Sequence, residues 1–506
     1  MSDSEGNPSL IVSWTTLPPE PFETILTYLD VDSVKALRLT DRRFAEKCVG
    51  PRFLSFIQQP ILDVSSQNLR SLYALACNPA LSKMIHSLTF LATSLDSSEA
   101  EKNVKSGNHT VRRNHGAMFE TTTTPFTAEE FSNAKSNLKW LKQQQKARAT
   151  ESPSEMIELL EGVLTGFHGL HSIRLDGAAL KGPTERATAS QGEWHSLWIR
   201  ASHVFYLVVT ALAQSGVSVK TFNAYRQTHR CCVTSNDITK YASDLNPRQL
   251  EIVSKGLESF ELSTSAEVQT AVNSAKVRGK GAYTQRGYFI TQRSSCISSG
   301  GHTGNLYLLK SAHALRELDL SFRHALREGC PDSYDKIIES IAKETQFPML
   351  EKCAFSGFLA KGESILLFLQ KHPNLRFFTL HECHLTTGSW PPIFAHLSES
   401  MPKLESVSFS NLYGKCGMQG EQEGEEGTQE HSAMVNLQPI WDTNPPPYRD
   451  SFTKGPGRQV HTRTFNREDL KKGLVFPPLV KLRGRAKGSR ELMRWTHTRE
   501  ERYGAP

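Results

Sequence analysis

One hydrophobic pattern, L-x-x-L-x-L, recurs along most of the chain, with other apolar residues also filling the leucine positions. It occurs eight times, at successive intervals of 85, 49, 38, 58, 35, 25 and 29 residues. The phrases begin at Ile85, Leu170, Val219, Leu257, Leu315, Leu350, Leu375 and Leu404. Only the last three intervals approach a short regular period, so the earlier units must contain insertions.

A helical pattern with one apolar face precedes most of the phrases, after a short turn. The clearest helical patterns lie at residues 156–164, 204–212, 337–341 and 365–369. Repeated helix and strand predict an α/β fold in which the phrases are strands of one parallel sheet. The same alternation also occurs in α/β folds without repeats, so an ordinary α/β fold is the alternative.

In such a sheet the leucine positions face the core, and the residues between them face outward. These outward residues are predicted to form a concave surface, here called the polar face: Ser172, Arg174, Asp176, Thr221, Asn223, Tyr225, Ser259, Glu261, Ser263, Glu317, Asp319, Ser321, Lys352, Ala354, Ser356, Phe377, Thr379, His381, Ser406, Ser408 and Ser410. Glu261, Glu317 and Asp319 make its middle acidic, with Tyr225 and Phe377 as flanking aromatic anchors. A basic segment of a target protein is predicted to bind there, with His381 also in contact. A merely solvated face is the alternative.

A different pattern lies near the N-terminus, where Phe22, Ile25, Leu26 and Leu29 follow Pro18-Pro19 at helical spacing. Further cap and apolar signals predict three very short helices within residues 15–55. A unit of this size is too small to cover its own apolar surface. It must therefore pack either on the rest of the chain or on a partner.

This stretch resembles an F-box, the adaptor-binding motif of SCF-type ubiquitin ligases. The matching features are Leu17-Pro18-Pro19-Glu20, Ile25-Leu26, Leu29, Leu37-Arg38 and the basic pair before Phe44. The chain departs from the family at Pro21, where an aliphatic residue is common, and at Phe44, where tryptophan is common. The resemblance implies that a Skp-type adaptor, which bridges to a cullin and a RING subunit, is contacted by Leu17, Pro18, Ile25, Leu26, Leu29 and Leu37.

The unit at Leu375 resembles a leucine-rich repeat, because Cys383 and Leu385 complete L-x-x-L-x-L-x-x-C-x-L. Together the resemblances imply a three-helix F-box followed by an irregular leucine-rich-repeat solenoid with insertions. They also imply the substrate receptor of an SCF-type ubiquitin ligase, which selects proteins for proteasomal degradation. In this family the isopeptide chemistry belongs to other subunits, so neither catalytic residues nor a cofactor is expected. The alternatives are a scaffold that binds the adaptor without directing ubiquitination, and a nucleic-acid-binding protein that acts through its basic tail.

The predicted domain boundaries follow from these patterns. They are a disordered N-terminus at 1–14, the F-box-like helices at 15–55, the repeat region at 56–412 with insertions at 94–154 and 264–304, an acidic Gly/Glu-rich linker at 413–438, and a basic tail at 439–506. Inside the first insertion, Thr127 followed by Glu130 predicts the capped start of a helix that continues towards Gln145.

Charge and composition change this picture little. The tail contains 15 Lys and Arg and 7 Asp and Glu, so it accounts for the net charge of +7. The remaining residues together carry a net charge of −1. The nine cysteines form no C-x-x-C pair, and enzyme motifs for phosphate loops, nucleophile elbows and zinc helices are absent from the sequence. No metal site, membrane span or signal peptide is predicted, and a cytoplasmic or nuclear location is expected.

Two short motifs near the C-terminus remain as candidates. Pro445, Pro446 and Tyr448 fit the P-P-x-Y pattern that WW domains bind in polyproline conformation. The basic stretch 481–502 fits RNA binding or a nuclear import signal, with a solvated or core-packing extension as the alternative.

Overall fold

The computed structural model describes residues 17–29, 31–48, 58–115, 118–187, 194–228, 231–265, 308–323, 335–415, 432–442 and 460–477. Several predictions concern segments outside the described residues. These segments are the N-terminus at 1–14, nearly all of the insertion at 264–304, the P-P-x-Y motif at 445–448 and the basic stretch at 481–502.

The described strands are β1 (Ile61–Asp63), β2 (Ser87–Ser94), β3 (Asn108–His115), β4 (Met118–Pro125), β5 (Ser172–Leu180), β6 (Arg186–Ala187), β7 (Thr221–Ala224), β8 (Val233–Thr234), β9 (Ser259–Ser265), β10 (Glu317–Arg323), β11 (Lys352–Ser356), β12 (Leu359–Lys361), β13 (Phe377–His381), β14 (His384–Thr387), β15 (Ser406–Ser410), β16 (Tyr413–Lys415), β17 (Ser432–Met434) and β18 (Thr462–Asn466).

The described helices are α1 (Pro19–Leu26), α2 (Val31–Thr40), α3 (Arg42–Lys47), α4 (Ser66–Ala76), α5 (Pro79–Ser82), α6 (Ser98–Ser106), α7 (Ala128–Ala149), α8 (Pro153–Gly166), α9 (Trp194–Ser215), α10 (Ser235–Asp244), α11 (Pro247–Lys255), α12 (Lys336–Glu344), α13 (Gly362–Lys371), α14 (Pro391–Glu399) and α15 (Arg467–Lys471).

The main sheet has the strand order β1-β2-β5-β7-β9-β10-β11-β13-β15-β18, so its strands follow one another as they do along the chain. All neighbours on this path are parallel except β15 and β18, which are antiparallel. Each of the eight hydrophobic phrases supplies one strand of this sheet. The prediction of an α/β fold with one large parallel sheet is therefore confirmed.

The leucine positions of the phrases point into a continuous hydrophobic core beneath the sheet. Along β5, for example, Ile173 and Leu175 are fully buried, whereas Ser172 and Arg174 are half-buried. Helices preceding the strands cover this side of the sheet, and α9 is the longest of them in direct contact with it. Its segment Ser196–Ser215 is apolar and long enough to cross a membrane, but 78% of it is buried inside the protein. Burial in the core therefore explains why this segment is apolar.

A line of alternating charges crosses the sheet at the residue after the first position of the last six phrases. Its members are Lys220, Glu258, Arg316, Glu351, Arg376 and Glu405. Within the described residues, four of the five neighbouring pairs are ion pairs with N···O distances of 2.6 to 3.7 Å. Exchanging neighbouring strands would place like charges side by side, which is unfavourable. The charges therefore favour the observed strand order.

The last three repeated units also share a turn after the main-sheet strand. Gly357, Glu382 and Asn411 occupy the same position in their units, and all have positive φ, of 76°, 51° and 52°. This left-handed conformation turns the chain into β12, β14 and β16, which pair in parallel as a second, smaller sheet. Only the units of short period carry this second strand in the described residues.

The structure corrects the predicted boundaries after residue 412. Residues 413–415 and 432–438, assigned to an acidic Gly/Glu-rich linker, include β16 and β17, and Val435 and Leu437 are buried in the main core. Residues 460–477, assigned to a basic tail, supply β18 and α15, with Phe465 fully buried. These segments cover the last edge of the parallel sheet, so they belong to the folded region.

The insertion at 94–154 contains more structure than predicted. The capping box of Thr127 and Glu130 begins α7 as expected, but the helix continues to Ala149. A hairpin of β3 and β4 precedes it and was not predicted. Its polar, threonine-rich strands lack the apolar alternation that identifies a strand in a sequence.

Candidate functional site

The N-terminal segment folds into three short helices, as predicted. Pro18 precedes α1, and the Asp41 side chain accepts a hydrogen bond from the Arg43 backbone N–H at 2.6 Å to begin α3. The Lys47 ammonium donates to the Leu17 carbonyl oxygen at 2.8 Å and joins the two ends of the segment. We call α1 to α3 the three-helix unit.

The three-helix unit has a small hydrophobic cluster of its own. The side chains of Phe22, Leu26, Val34 and Cys48 are fully buried in it, with Leu29, Leu37 and Phe44 packed against them. Among the described residues, none beyond Cys48 belongs to this cluster. The alternative in which the main body of the chain covers the unit's apolar side chains therefore has no support in the described packing.

The predicted adaptor contacts are not equally accessible. Pro18 is exposed, and Leu17, Ile25, Leu29 and Leu37 are half-buried. The prediction for Leu26 is wrong as a surface contact, because its side chain is 0% exposed inside the cluster. Among the unit's described side chains, two large apolar ones that were not predicted are exposed: Tyr28 at 85% and Leu39 at 88%. Helical periodicity does not identify Tyr28, because it lies beyond the end of α1 at Leu26.

The polar face alternates with the core over the first residues of each strand, and the acidic residues in its middle are neighbours. The prediction is wrong for the later positions, because Asn223, Ser263, Ser321, Ser356 and Ser410 are buried. In the register of the strands, Glu261 on β9 lies opposite Asp319 on β10, with Asn223 on β7 at its other side. The Asn223 amide donates a hydrogen bond to the Glu261 carboxylate. Glu317 lies two residues before Asp319 and forms an exposed ion pair with Lys352 at 2.6 Å.

Arg226, which the sequence did not identify, supplies the counter-charge in this acidic group. Its Nε lies 2.9 Å from Asp319 Oδ1, and both side chains are mostly buried. Burial raises the pKa of Asp319, and the Arg226 charge opposes that rise. Burial also raises the pKa of Glu261, and the neighbouring Asp319 charge adds to the effect. The Arg226 and Arg174 charges oppose the rise at Glu261, so two guanidinium groups partly offset the two carboxylates.

The predicted aromatic anchors have different positions. Tyr225 was wrong as a surface anchor, because it is fully buried and its hydroxyl donates to the Ala201 carbonyl oxygen at 2.9 Å. Its φ of 60° ends the regular strand and directs the side chain away from the predicted alternation. Phe377 remains on the face, half-buried, with the Arg376 guanidinium 5.5 Å from its ring centre.

Other parts of the chain cover both ends of the polar face. At β1 and β2, Arg148 from the insertion donates to the Thr93 hydroxyl at 2.7 Å and pairs with Asp63 at 3.3 Å. At the carboxyl ends of the middle strands, Thr228 donates to Asp176 at 3.0 Å. The accessible part is therefore the central strip that carries Glu261 and Glu317, continuing to half-buried His381 on β13.

Among the described side chains, no arrangement supports metal binding or nucleophilic catalysis. No group of three or more potential metal ligands occurs in the described part of the chain. Cys383, next to His381 and His384, is buried, and its thiol donates to the Phe355 carbonyl oxygen at 3.5 Å. Burial raises the pKa of this thiol to about 12, which keeps it protonated and unreactive. The polar face is therefore suited to binding another molecule through its charge and its shape.

Comparison with known proteins adds no assignment: no family model and no curated protein matches this chain.

Proposed function

We propose that the chain is the substrate receptor of an SCF-type ubiquitin ligase. In this proposal the three-helix unit is an F-box that binds a Skp-type adaptor, and the main sheet is a degenerate leucine-rich-repeat solenoid whose polar face holds the target protein. The receptor contributes proximity, which raises the effective concentration of target beside the transfer machinery. Cullin and RING subunits join through the adaptor.

The observation that carries the proposal is the separate hydrophobic cluster of the three-helix unit together with its exposed apolar rim. A cluster of four buried side chains is very small, and two large apolar side chains, Tyr28 and Leu39, remain exposed beside it. Covering such a rim with a partner removes apolar surface from water and stabilises the unit at the same time. This is the behaviour expected of an adaptor-binding motif.

The strand order supports the second half of the proposal. The eight phrases pair successively with their sequence neighbours, and the same charge alternation runs along the sheet. A repeat protein in which each unit contacts mainly its neighbours has this topology. Its polar face carries the carboxylates of Glu261, Glu317 and Asp319 on neighbouring strands, so the target is proposed to present a basic segment.

The adaptor half is tested by purifying the full chain with a tag and detecting bound adaptor and cullin. Replacing both Tyr28 and Leu39 by Glu is expected to abolish adaptor and cullin recovery, since two charges then occupy an apolar interface. The matched control replaces Ile440 and Val475, which are exposed at 63% and 57% outside the unit, by Glu. That control is expected to retain both proteins.

The outcomes of this purification distinguish the candidate functions. Adaptor and cullin together on the wild-type chain agree with a ligase receptor, whereas adaptor without cullin indicates a scaffold. Undiminished adaptor binding by the Tyr28 and Leu39 variant contradicts the proposed docking face. RNA that is retained and then released by salt favours the nucleic-acid-binding alternative.

The target half is tested with changes that preserve size. Glu261→Gln combined with Asp319→Asn removes both buried charges, and recovery of basic partners other than the adaptor is expected to fall about tenfold. The charge-exchange control, Glu317→Lys with Lys352→Glu, keeps the net charge of the face and is expected to have a smaller effect. Unchanged recovery of every partner by the Glu261 and Asp319 variant rules out target binding through the acidic group.

A further inference from the structure

The long helix α7 of the insertion presents one strongly basic face. After Glu130 it contains no acidic residue before it ends at Ala149, and it carries Lys135, Lys139, Lys142 and Lys146. At 100° per residue these four lysines lie within an arc of about 60°, in a row about 16 Å long. All four are exposed. We call them the lysine row.

The helix is held in place by residues on another side. Leu141 is fully buried, and the Gln145 amide donates to the Leu95 carbonyl oxygen at 2.6 Å. The Arg148 guanidinium contacts Asp63 and Thr93 at the edge of the main sheet. These anchors are rotated by about 90 to 150° from the centre of the row on a helical wheel. The lysine row is thus fixed on a supported helix and faces solvent.

The lysine row is unfavourable for the helix by itself. Lysines three and four residues apart are neighbours on a helix, and each like-charged pair destabilises the helix. Within the described residues, Lys142 pairs with Glu101 at 3.2 Å, while Lys139 and Lys146 have no acidic partner. Lys135 lies over the Phe131 ring at 4.1 Å. An external anion would remove this repulsion.

The chemistry of the row favours one class of ligand. A membrane surface would need several exposed large apolar side chains beside the charges, and only Phe131 and Leu138, both half-buried, border the row. Single-stranded nucleic acid would need open aromatic rings for stacking, but the Phe131 ring is occupied by Lys135. An extended peptide places alternate side chains about 6.6 Å apart on one side, close to the ~6 Å rise between lysines four residues apart.

We propose that the lysine row binds an acidic peptide segment of a protein partner, in extended form, with carboxylates at alternate positions. The ammonium groups pair with these carboxylates one after another along the helix. This site lies on the insertion, apart from the acidic group of the polar face, and the inference does not depend on a role in ubiquitin ligation.

The test measures binding of a fluorescent peptide of alternating Glu and Ser to the full chain by anisotropy. Lys139→Glu with Lys146→Glu is expected to weaken binding about tenfold, and Lys139→Arg with Lys146→Arg to preserve it within about twofold. The matched control is Lys102→Glu with Lys105→Glu on α6, which changes the net charge equally at other exposed positions of the insertion. It is expected to weaken binding less than about twofold.

Three results overturn the inference. The first is no binding of the peptide to the wild-type chain at low ionic strength. The second is an equal loss in the Lys102 and Lys105 control, which means attraction to net charge alone. The third is tighter binding of a short duplex DNA that the Lys139 and Lys146 variant loses, which assigns the row to nucleic acid. Circular dichroism confirms that each variant is folded.

Discussion

The three-helix unit and the main sheet bury their apolar side chains in opposite ways. The unit relies on a local cluster formed by residues between Phe22 and Cys48, and it leaves Tyr28 and Leu39 in water. The sheet relies on neighbours, because each strand and helix adds to one core that extends from Val64 to Leu474. Local burial gives the unit only a small cluster, whereas shared burial lets neighbouring strands and helices of the sheet support one another.

This difference predicts how far the effect of losing one buried side chain extends through the structure. In the sheet, a lost core side chain weakens the contacts of two neighbouring strands, so the effect reaches the whole core. In the three-helix unit, a lost side chain affects only the helices that share the cluster. The following changes test this contrast, beginning with the largest expected effect.

The largest effect is expected from Leu380→Ala on β13. Leu380 is fully buried between β11 and β15, and its truncation leaves a cavity, so the free energy of unfolding of the sheet should fall by about 3 kcal/mol. Thermal unfolding monitored by circular dichroism measures the change. Adaptor binding should persist at temperatures where the variant remains folded. A loss of adaptor binding in the folded variant would contradict the independence of the three-helix unit.

Acid is expected to weaken the sheet through His372, between α13 and β13. Its Nε2 accepts from the Phe347 N–H at 3.0 Å, its Nδ1–H donates to the Phe368 carbonyl oxygen at 2.6 Å, and burial lowers its pKa from 6.5 to about 4. Between these values the unfolded chain binds a proton that the folded chain does not. Stability should therefore fall, by about 2 to 3 kcal/mol, as the pH falls from 6.5 to 4.

The contribution of His372 is measured by denaturant unfolding at several pH values. His372→Gln keeps one donor and one acceptor without a titrating ring, so it should reduce the pH dependence between 4 and 6.5, while His203, whose pKa burial also lowers to about 4, maintains part of it. His313→Gln changes an exposed histidine and serves as the matched control. Equal slopes for wild type and His372→Gln would refute the assignment. The three-helix unit contains no histidine, so its helices should not share this response.

The smallest and most local effect is expected from Leu26→Ala. Its side chain is fully buried in the three-helix unit, where truncation should cost about 2 kcal/mol, less than in the sheet because a small cluster can collapse around the gap. Amide hydrogen exchange in α1 to α3 should accelerate while exchange in β9 to β15 stays unchanged. Accelerated exchange in those strands would show that the two regions share one cooperative unit.

The repeated phrases determined much of the sheet in advance. Leu170, Leu315 and Leu375 begin phrases whose strands pair as the period-two pattern requires, because local alternation decides which side of a strand faces the core. The sequence also contains the charges of Glu351 and Arg376, but it does not show that they form an ion pair. That pairing depends on the alignment of the neighbouring strands. The hairpin of β3 and β4 was missed, because its strands pair without an apolar face.

The sequence by itself determined the three short helices, the α/β alternation and the acidic middle of the polar face. Tertiary structure decided what is accessible: Leu26 and Tyr225 became buried, Tyr28 and Leu39 remained exposed, and residues 432–438 joined the core. Spacing along the chain specifies the direction of a side chain relative to its own helix or strand. Burial and ion pairing depend on distant segments, such as the loop that brings Arg226 to Asp319, and no local pattern encodes that approach.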